Sequence, residues 1–495
     1  MASPTVESRE MPSDPKLVAA EEPAAHGLER GAIGLLQSTV IGVASSAPAQ
    51  STAVSIGALI LASNYGGPGA ILVLALPMLA IAFCFQRLNL WEQNCGASYV
   101  WVGRSISPYL GFAVGWLMLA GYLLGTAADV FPIGPSVLAL FGANTSSQLG
   151  AILSGTILVA GVTAFAVIGV QLTARFQLAI AAVEYAILVV FCVIGLYVEF
   201  ISHPAGTVHP TLAWLSPTGV GGKGSLVAGA LIAVYLFSGW DTSMYLNEET
   251  ERPERNPGRA VLLAVAILAL FYAILMFSLQ GAASSAAINA HSSSTLVYIA
   301  HQLVGSPWDK FMAFAIVLSV LGTTQAFIVS TARISYSMGS DDVMPQKFGE
   351  ISRRFRTPVF ATVFFGLVTI VVLCLYVLSA SLGAAFSSIV NVSGVLFALF
   401  YAFTGIATAW FYRRLLARST KDALLVGVLP LAATAVLFYI AIKSIITFTG
   451  TERWTLAAIA ISGATMLLVA RLVYQSAFFR IRRTAFDPDT AALEP

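Results

Sequence analysis

Charge is what this sequence has least of. Lys, Arg, Asp and Glu make up 10% of its 495 residues, against about 25% in ordinary soluble domains, which excludes a soluble fold of this length. Histidine and cysteine are scarce as well. The five histidines, His26, His203, His209, His291 and His301, lie in the amino-terminal stretch or between apolar runs. No HExxH or GxSxG motif occurs, so hydrolytic chemistry at membrane depth has no candidate and an enzyme is not expected. Cys84, Cys95, Cys192 and Cys374 form no CxxC pair and read as packing residues. The GVGGKGS stretch around Lys223 lacks the leading glycine of a phosphate loop and reads as a turn. Basic residues are scattered rather than clustered, so nucleic acid is not an expected partner. No cofactor and no metal are expected.

Hydrophobic residues make up 57% of the chain. Runs such as 69–85, 179–200 and 359–380 reach the roughly 20 residues a helix needs to cross the hydrocarbon core. They lack the alternating pattern of a barrel strand, and in lipid every backbone polar group must be paired internally, so the spans are helices. The fold class is all-α, a polytopic membrane protein. Twelve spans are predicted, at 33–61, 67–86, 97–125, 148–170, 174–201, 225–250, 257–281, 307–338, 358–379, 383–412, 421–446 and 453–479. This count puts both termini on one side. Of the 26 Lys and Arg residues, Lys223, Lys310, Lys443 and Arg453 then fall on the opposite side and the rest with the termini. The positive-inside rule makes the terminal side cytoplasmic, in a cell membrane. Residues 1–30 read as a disordered cytoplasmic tail, 31–480 as one transmembrane domain and 481–495 as a second cytoplasmic tail.

Two spans carry breaks. The first reads GLLQSTVIGVASSAPAQSTAVSIGALILA, with Gly42, Ser45, Ser46 and Pro48 together in mid-helix. Pro48 lacks an N–H and clashes with the preceding turn. In the sixth, LVAGALIAVYLFSGWDTSMYLNEET, the apolar run is interrupted by Ser238, Gly239 and Asp241. Breaks five spans apart fit two inverted halves, spans one to five and six to ten, with two helices appended.

The stretches FSGWDTSMYLNEETERPERNPGRAV (237–261), CGASYVWVGRSISPYLGFAVGW (95–116) and STARISYSMGSDDVMPQKFGEISRRFRTP (330–358) carry a resemblance to the amino acid/polyamine/organocation (APC) superfamily over nearly the whole chain. The resemblance implies a leucine-transporter-like fold and alternating-access secondary transport of amino acids or related amines, by proton-coupled symport or exchange. A polyamine or organic-cation transporter, a channel and a non-transporting sensor are the alternatives. At the first span the family often has a Gly-x-Gly type break where this chain has GVASSAP.

Freed N–H groups at Gly42, Ala44, Ser45 and Ser46 are candidate partners for a substrate carboxylate. Unwound carbonyls around Phe237, Ser238 and Gly239 are candidate acceptors for its ammonium. Close packing of small residues would also explain both breaks. Tyr235 stands where resembling transporters carry an aromatic that covers the substrate, or is an ordinary packed tyrosine. Trp240 and Asp241 follow the break. A carboxylate at that depth is expensive unless paired or protonated, so Asp241 reads as a gate, a proton-holding group or an N-cap of the second half-helix. Glu184 occupies a fifth-span position where some resembling transporters place a lysine. It reads as a proton-coupling group, a neutral acid bonded between helices, or a counter-ion for a cationic substrate.

Thr323 and Thr324 in the eighth span offer hydroxyls to a sodium ion or the substrate, or bond their own backbone. Phe327, Asn391, Ser393 and Tyr122 are candidate pocket walls. Glu248 and Glu249, in a run with Glu251, Arg252, Glu254, Arg255 and Arg259, are either a solvated loop or an inner gate closed by ion pairs. Expected partners are a small-molecule amino acid or amine, a proton as coupling ion, and the bilayer. Oligomeric state is not legible in the sequence.

Overall fold

A computed structural model describes residues 27–130, 133–141, 147–204, 206–225, 232, 234–291, 295–379 and 382–486. Most of the expected amino-terminal tail (1–26), the last part of the carboxy-terminal tail (487–495) and most of the first half of span six lie outside the described residues. Ten described helices are long and apolar enough to cross a membrane: Gly67–Trp91, Pro108–Val130, Gln148–Ile168, Val170–Ser202, Asn256–Ala282, Lys310–Ser340, Val359–Ser379, Ser387–Phe411, Thr420–Thr447 and Gly450–Leu472. They are the ten spans expected to be unbroken, in order. The chain is an all-α polytopic membrane protein.

Span one is split into Leu35–Ala44 and Pro48–Ser63. Ala47 between them takes a left-handed conformation (φ 45°), and Pro48 stands at the first position of the second half, where its missing N–H leaves no bond unmade. In span six, residues 234–236 are helical, Phe237–Gly239 turn, and Trp240–Glu249 continues as a 3-10 helix. This half was expected to be α-helical. Its polar side chains reach other elements, Thr242 to Ser45, Asn247 to Asn89 and Glu248 to Cys95, and its backbone takes the tighter i to i+3 coil.

A second difference lies in span three, expected as one helix over 97–125. Ser98–Ser105 and Pro108–Val130 form a bent pair instead, because Pro108 cannot continue a helix begun before it. The short arm folds back so tightly that a Cβ on Gly111 would lie 2.4 Å from the Cα of Gly103. The carboxy-terminal end of this helix also runs five residues past the expected boundary at 125, which brings Asp129 into the protein.

The end of the bundle that carries residues 27–34 and 477–486 is tied together by backbone bonds and ring contacts. The amides of Ala32 and Ile33 donate to the Glu249 carbonyl at 2.8 and 3.1 Å, and Glu251 N–H donates to Ile33. Thr484 and Phe486 bond to the carbonyls of Arg104 and Phe411, while Phe478 stacks on Tyr99 at 4.7 Å. Toward the opposite end a cavity of about 280 Å³ opens between the second half of span one, the first half of span six and spans ten and eleven.

Candidate substrate and coupling sites

The two breaks meet. A Cβ on Gly239 (φ 94°) would stand 2.5 Å from the Ser45 carbonyl oxygen and 2.8 Å from the Phe327 ring. One on Gly42 would stand 2.8 Å from the Trp240 carbonyl. Glycine at these two positions lets one interrupted helix lie directly on the other. The hydroxyls of Ser45 and Thr242 join them at 2.5 Å.

At the first break the backbone groups are satisfied differently from expectation. The amides of Ser45, Ser46 and Ala47 turn back onto the carbonyls of Ile41, Val43 and Ala44 at 3.0, 3.2 and 3.1 Å. The amides beyond the break find side chains: Ala49 N–H donates to Glu184 Oε1 at 3.0 Å and Gln50 N–H to Ser319 Oγ at 3.3 Å. Pro48 contributes no donor, so the open amides begin at residue 49 rather than at 42–46. Glu184 thereby caps the second half-helix, a site where the helix dipole favours negative charge. On the carbonyl side, Thr323 Oγ1 donates to Ala44 O at 3.0 Å and Tyr272 OH to Ser46 O at 2.8 Å. Thr324 Oγ is buried with no hydrogen-bond partner.

Asp241 is fully buried and bound by phenols. Tyr401 OH donates to one carboxylate oxygen at 2.6 Å and Tyr245 OH to the other. Trp240 stacks on Tyr401 at 5.0 Å, and Tyr122 meets Tyr245 and Phe327 edge-on at 5.4 and 4.9 Å. The N-cap role expected as one alternative for Asp241 is not found: the cap position belongs to Gly239, and both carboxylate oxygens face tyrosines.

Tyr235 lines the cavity, and its hydroxyl donates to Asp129 at 3.2 Å. Phe237 packs against Tyr272, with ring centroids 5.9 Å apart. Asn391 lies on the cavity wall, its Nδ2 3.4 Å from Glu452 Oε1. Ser393 does not line that cavity; it is buried with its hydroxyl on the Val390 carbonyl at 3.1 Å.

Near the end of the bundle that carries residues 27–34, Glu249 holds Arg333 of span eight in a two-pronged pair, 2.8 and 2.9 Å, with both side chains buried. Glu248 accepts the Cys95 amide at 2.8 Å. Among the described residues, no ion pair forms within the 248–259 charge run itself. Of the run, Glu249 is the residue that pairs among the described residues, with a span-eight arginine.

Sequence reasoning missed Asp129, Tyr245, Tyr272, Ser319, Arg333 and Tyr401. A signal existed for Tyr245, four residues after Asp241 on one helical face. Asp129 was hidden by placing the end of span three too early.

The description "amino acid permease" belongs to the family whose model matches residues 33–477. The chain belongs to this amino acid permease family, within the APC superfamily. Among its relatives is the low-affinity putrescine importer PlaP of Escherichia coli (strain K12), 25% identical over 308 residues, 61% of this chain and 66% of that protein. Another is the vacuolar cationic amino acid transporter 2 of Arabidopsis thaliana, 24% identical over 325 residues, 62% and 50% of the two chains. The methylthioribose transporter of Bacillus subtilis (strain 168) is 24% identical over 327 residues, 62% and 68%. The matched part of the chain thus spans just under two thirds of the importer and half of the plant transporter. The family is one of permeases, not enzymes.

Proposed function

We propose that this permease is a secondary active transporter that moves amino acids or related amines across a cell membrane by alternating access, with both termini cytoplasmic. The observation that carries this reading is the contact of the two interrupted helices, Gly239 against the Ser45 carbonyl. Such breaks place backbone dipoles at mid-depth, where a small zwitterion or amine can be held without water. The tied end and the cavity at the other end correspond to a state open outward. Asp241 and its tyrosines lie between the breaks and the tied end and serve as the inner gate, backed by Glu249 and Arg333.

Proton coupling is assigned to Glu184. Ionised, its carboxylate holds the amino-terminal end of half-helix 48–63. Protonated, it loses the attraction to the helix dipole and frees that half to tilt. Sodium coupling through Thr323 and Thr324 is the competing reading. Diamines and other organic cations form the second cargo class, supported by the putrescine importer among the relatives.

Uptake of a labelled panel of amino acids and diamines into proteoliposomes, under an inward proton or an inward sodium gradient, tests this. Saturable uptake driven by the proton gradient, with counterflow, is expected. Uptake driven by sodium alone would reassign the coupling ion. Flux without saturation would make the protein a channel, and binding without flux or exchange a sensor.

A further inference from the structure

Four carboxylates in the core of the bundle have their oxygens engaged to different degrees. Asp241 receives two phenol hydroxyls. Glu184 receives the Ala49 amide at 3.0 Å, at the start of a half-helix. Glu249 has the Arg333 guanidinium. Asp129, 4% exposed, has Tyr235 as its hydrogen-bond donor among the described residues, at 3.2 Å, which is long for a hydroxyl on a carboxylate. No ion pair compensates it among the described residues. Glu199 also has an oxygen without a partner, but its neighbours Gly281 and Trp214 are not among the residues lining the cavity.

Asp129 lies one hydrogen bond behind the cavity wall, because Tyr235 is itself a lining residue. None of the described side chains lining that cavity is charged; its polar groups include Ser55, Tyr235, Asn391 and Ser444. A buried, loosely bonded and uncompensated carboxylate beside a neutral cavity is unfavourable unless it takes up a proton or a cation visits it. The Tyr235 ring supplies a face for the same cation. We infer that Asp129 is the seat for a positively charged nitrogen of the cargo, entered from the outer cavity past Tyr235. It sets a preference for cargo carrying a cationic side chain or a second ammonium group. This rests on the transport reading above and deepens it.

The test compares lysine with norleucine, which has a side chain of similar size and no charge, and with putrescine. In wild-type proteoliposomes lysine and putrescine are expected to compete for uptake at least about tenfold better than norleucine, as a charge-assisted contact implies. Asp129→Asn is expected to remove about that factor for lysine and putrescine and to change norleucine by less than about twofold. Asp129→Glu, which keeps the charge, is expected to keep the preference. Equal loss for charged and neutral compounds in D129N, or a wild type that takes norleucine as well as lysine, overturns the seat while leaving transport intact. If no compound is taken up or exchanged, transport itself fails, and thermal stabilisation of the solubilised protein decides the seat. Stabilisation by lysine and putrescine but not norleucine upholds it, and no difference overturns it. Should D129N fail to fold, the wild-type comparison and D129E carry the test.

Discussion

Glu184 Oε1 lies 3.0 Å from the amide nitrogen of Ala49, so a side chain of span five holds the start of the second half of span one. Under the proposed alternating access, this contact ties an ionisable group directly to a helix that has to move. The carboxylate and the half-helix dipole attract one another only while the proton is absent.

That relation makes Glu184→Gln informative. The amide side chain keeps an acceptor for Ala49 but removes the titratable charge. Proton-driven accumulation is expected to fall at least about tenfold, equivalent to about 1.4 kcal/mol, while exchange of internal for external substrate, which needs no net proton movement, is retained. Parallel loss of exchange would make Glu184 a structural cap only. Counterflow and gradient-driven uptake on the same vesicles separate the two.

Gly239→Ala is expected to be among the most damaging single changes. The added methyl meets the Ser45 carbonyl at 2.5 Å and the Phe327 ring at 2.8 Å, at a φ of 94°. Left-handed strain alone costs about 1–2 kcal/mol, and the backbone contact cannot relax without parting the two breaks. Gly161→Ala, inside the span-four helix with nothing within 4 Å of the new methyl, is expected to leave stability unchanged or raise it by up to about 1 kcal/mol. Thermal unfolding of both variants in detergent checks the contrast. Equal midpoints would mean the breaks do not touch in the solubilised protein.

The spans and the two breaks were legible because bilayer thickness and the missing N–H of Pro48 leave clear marks in sequence. The site was legible only in part. Glu184, Asp241 and Tyr235 stand out as polar groups inside apolar runs, but their partners do not. Tyr401 sits in an ordinary span-ten run, and only the folded bundle brings it to Asp241 across 160 residues of chain. Arg333 was counted among topology-setting cations, and its pairing with Glu249 depends on spans six and eight meeting. The misjudged amides at 42–46 followed from treating the break as open backbone, when residues 45–47 close on themselves and the open donors begin at Ala49.

Tyr401→Phe isolates the Asp241 cluster. One carboxylate oxygen loses its 2.6 Å hydroxyl donor while ring packing on Trp240 and Phe85 is kept. Hydrogen bonds to charged groups contribute about 1.5–3 kcal/mol, so if the cluster is the proposed inner gate, its closed form is weakened relative to the open one. The expected result is a maximal uptake rate changed by about tenfold with the half-saturating concentration nearly constant, read from initial rates across substrate concentrations. A change confined to half-saturation would place Tyr401 in the cargo pocket instead.

Arg333 and Glu249 are both buried and joined at 2.8 and 2.9 Å, and the Glu249 carbonyl also anchors the amides of Ala32 and Ile33. Arg333→Met leaves a buried carboxylate uncompensated, which in comparable pairs costs about 3–5 kcal/mol. Replacing both partners, Arg333→Met with Glu249→Leu, removes the stranded charge, and the double variant is expected to be more stable than R333M alone despite carrying one more substitution. If the pair also closes the inner end, the double variant recovers stability but not transport, because the lock that must open and reform is gone. Thermal unfolding and proteoliposome uptake on the two variants give both quantities. A double variant no more stable than R333M would mean that the arginine acts through contacts other than Glu249.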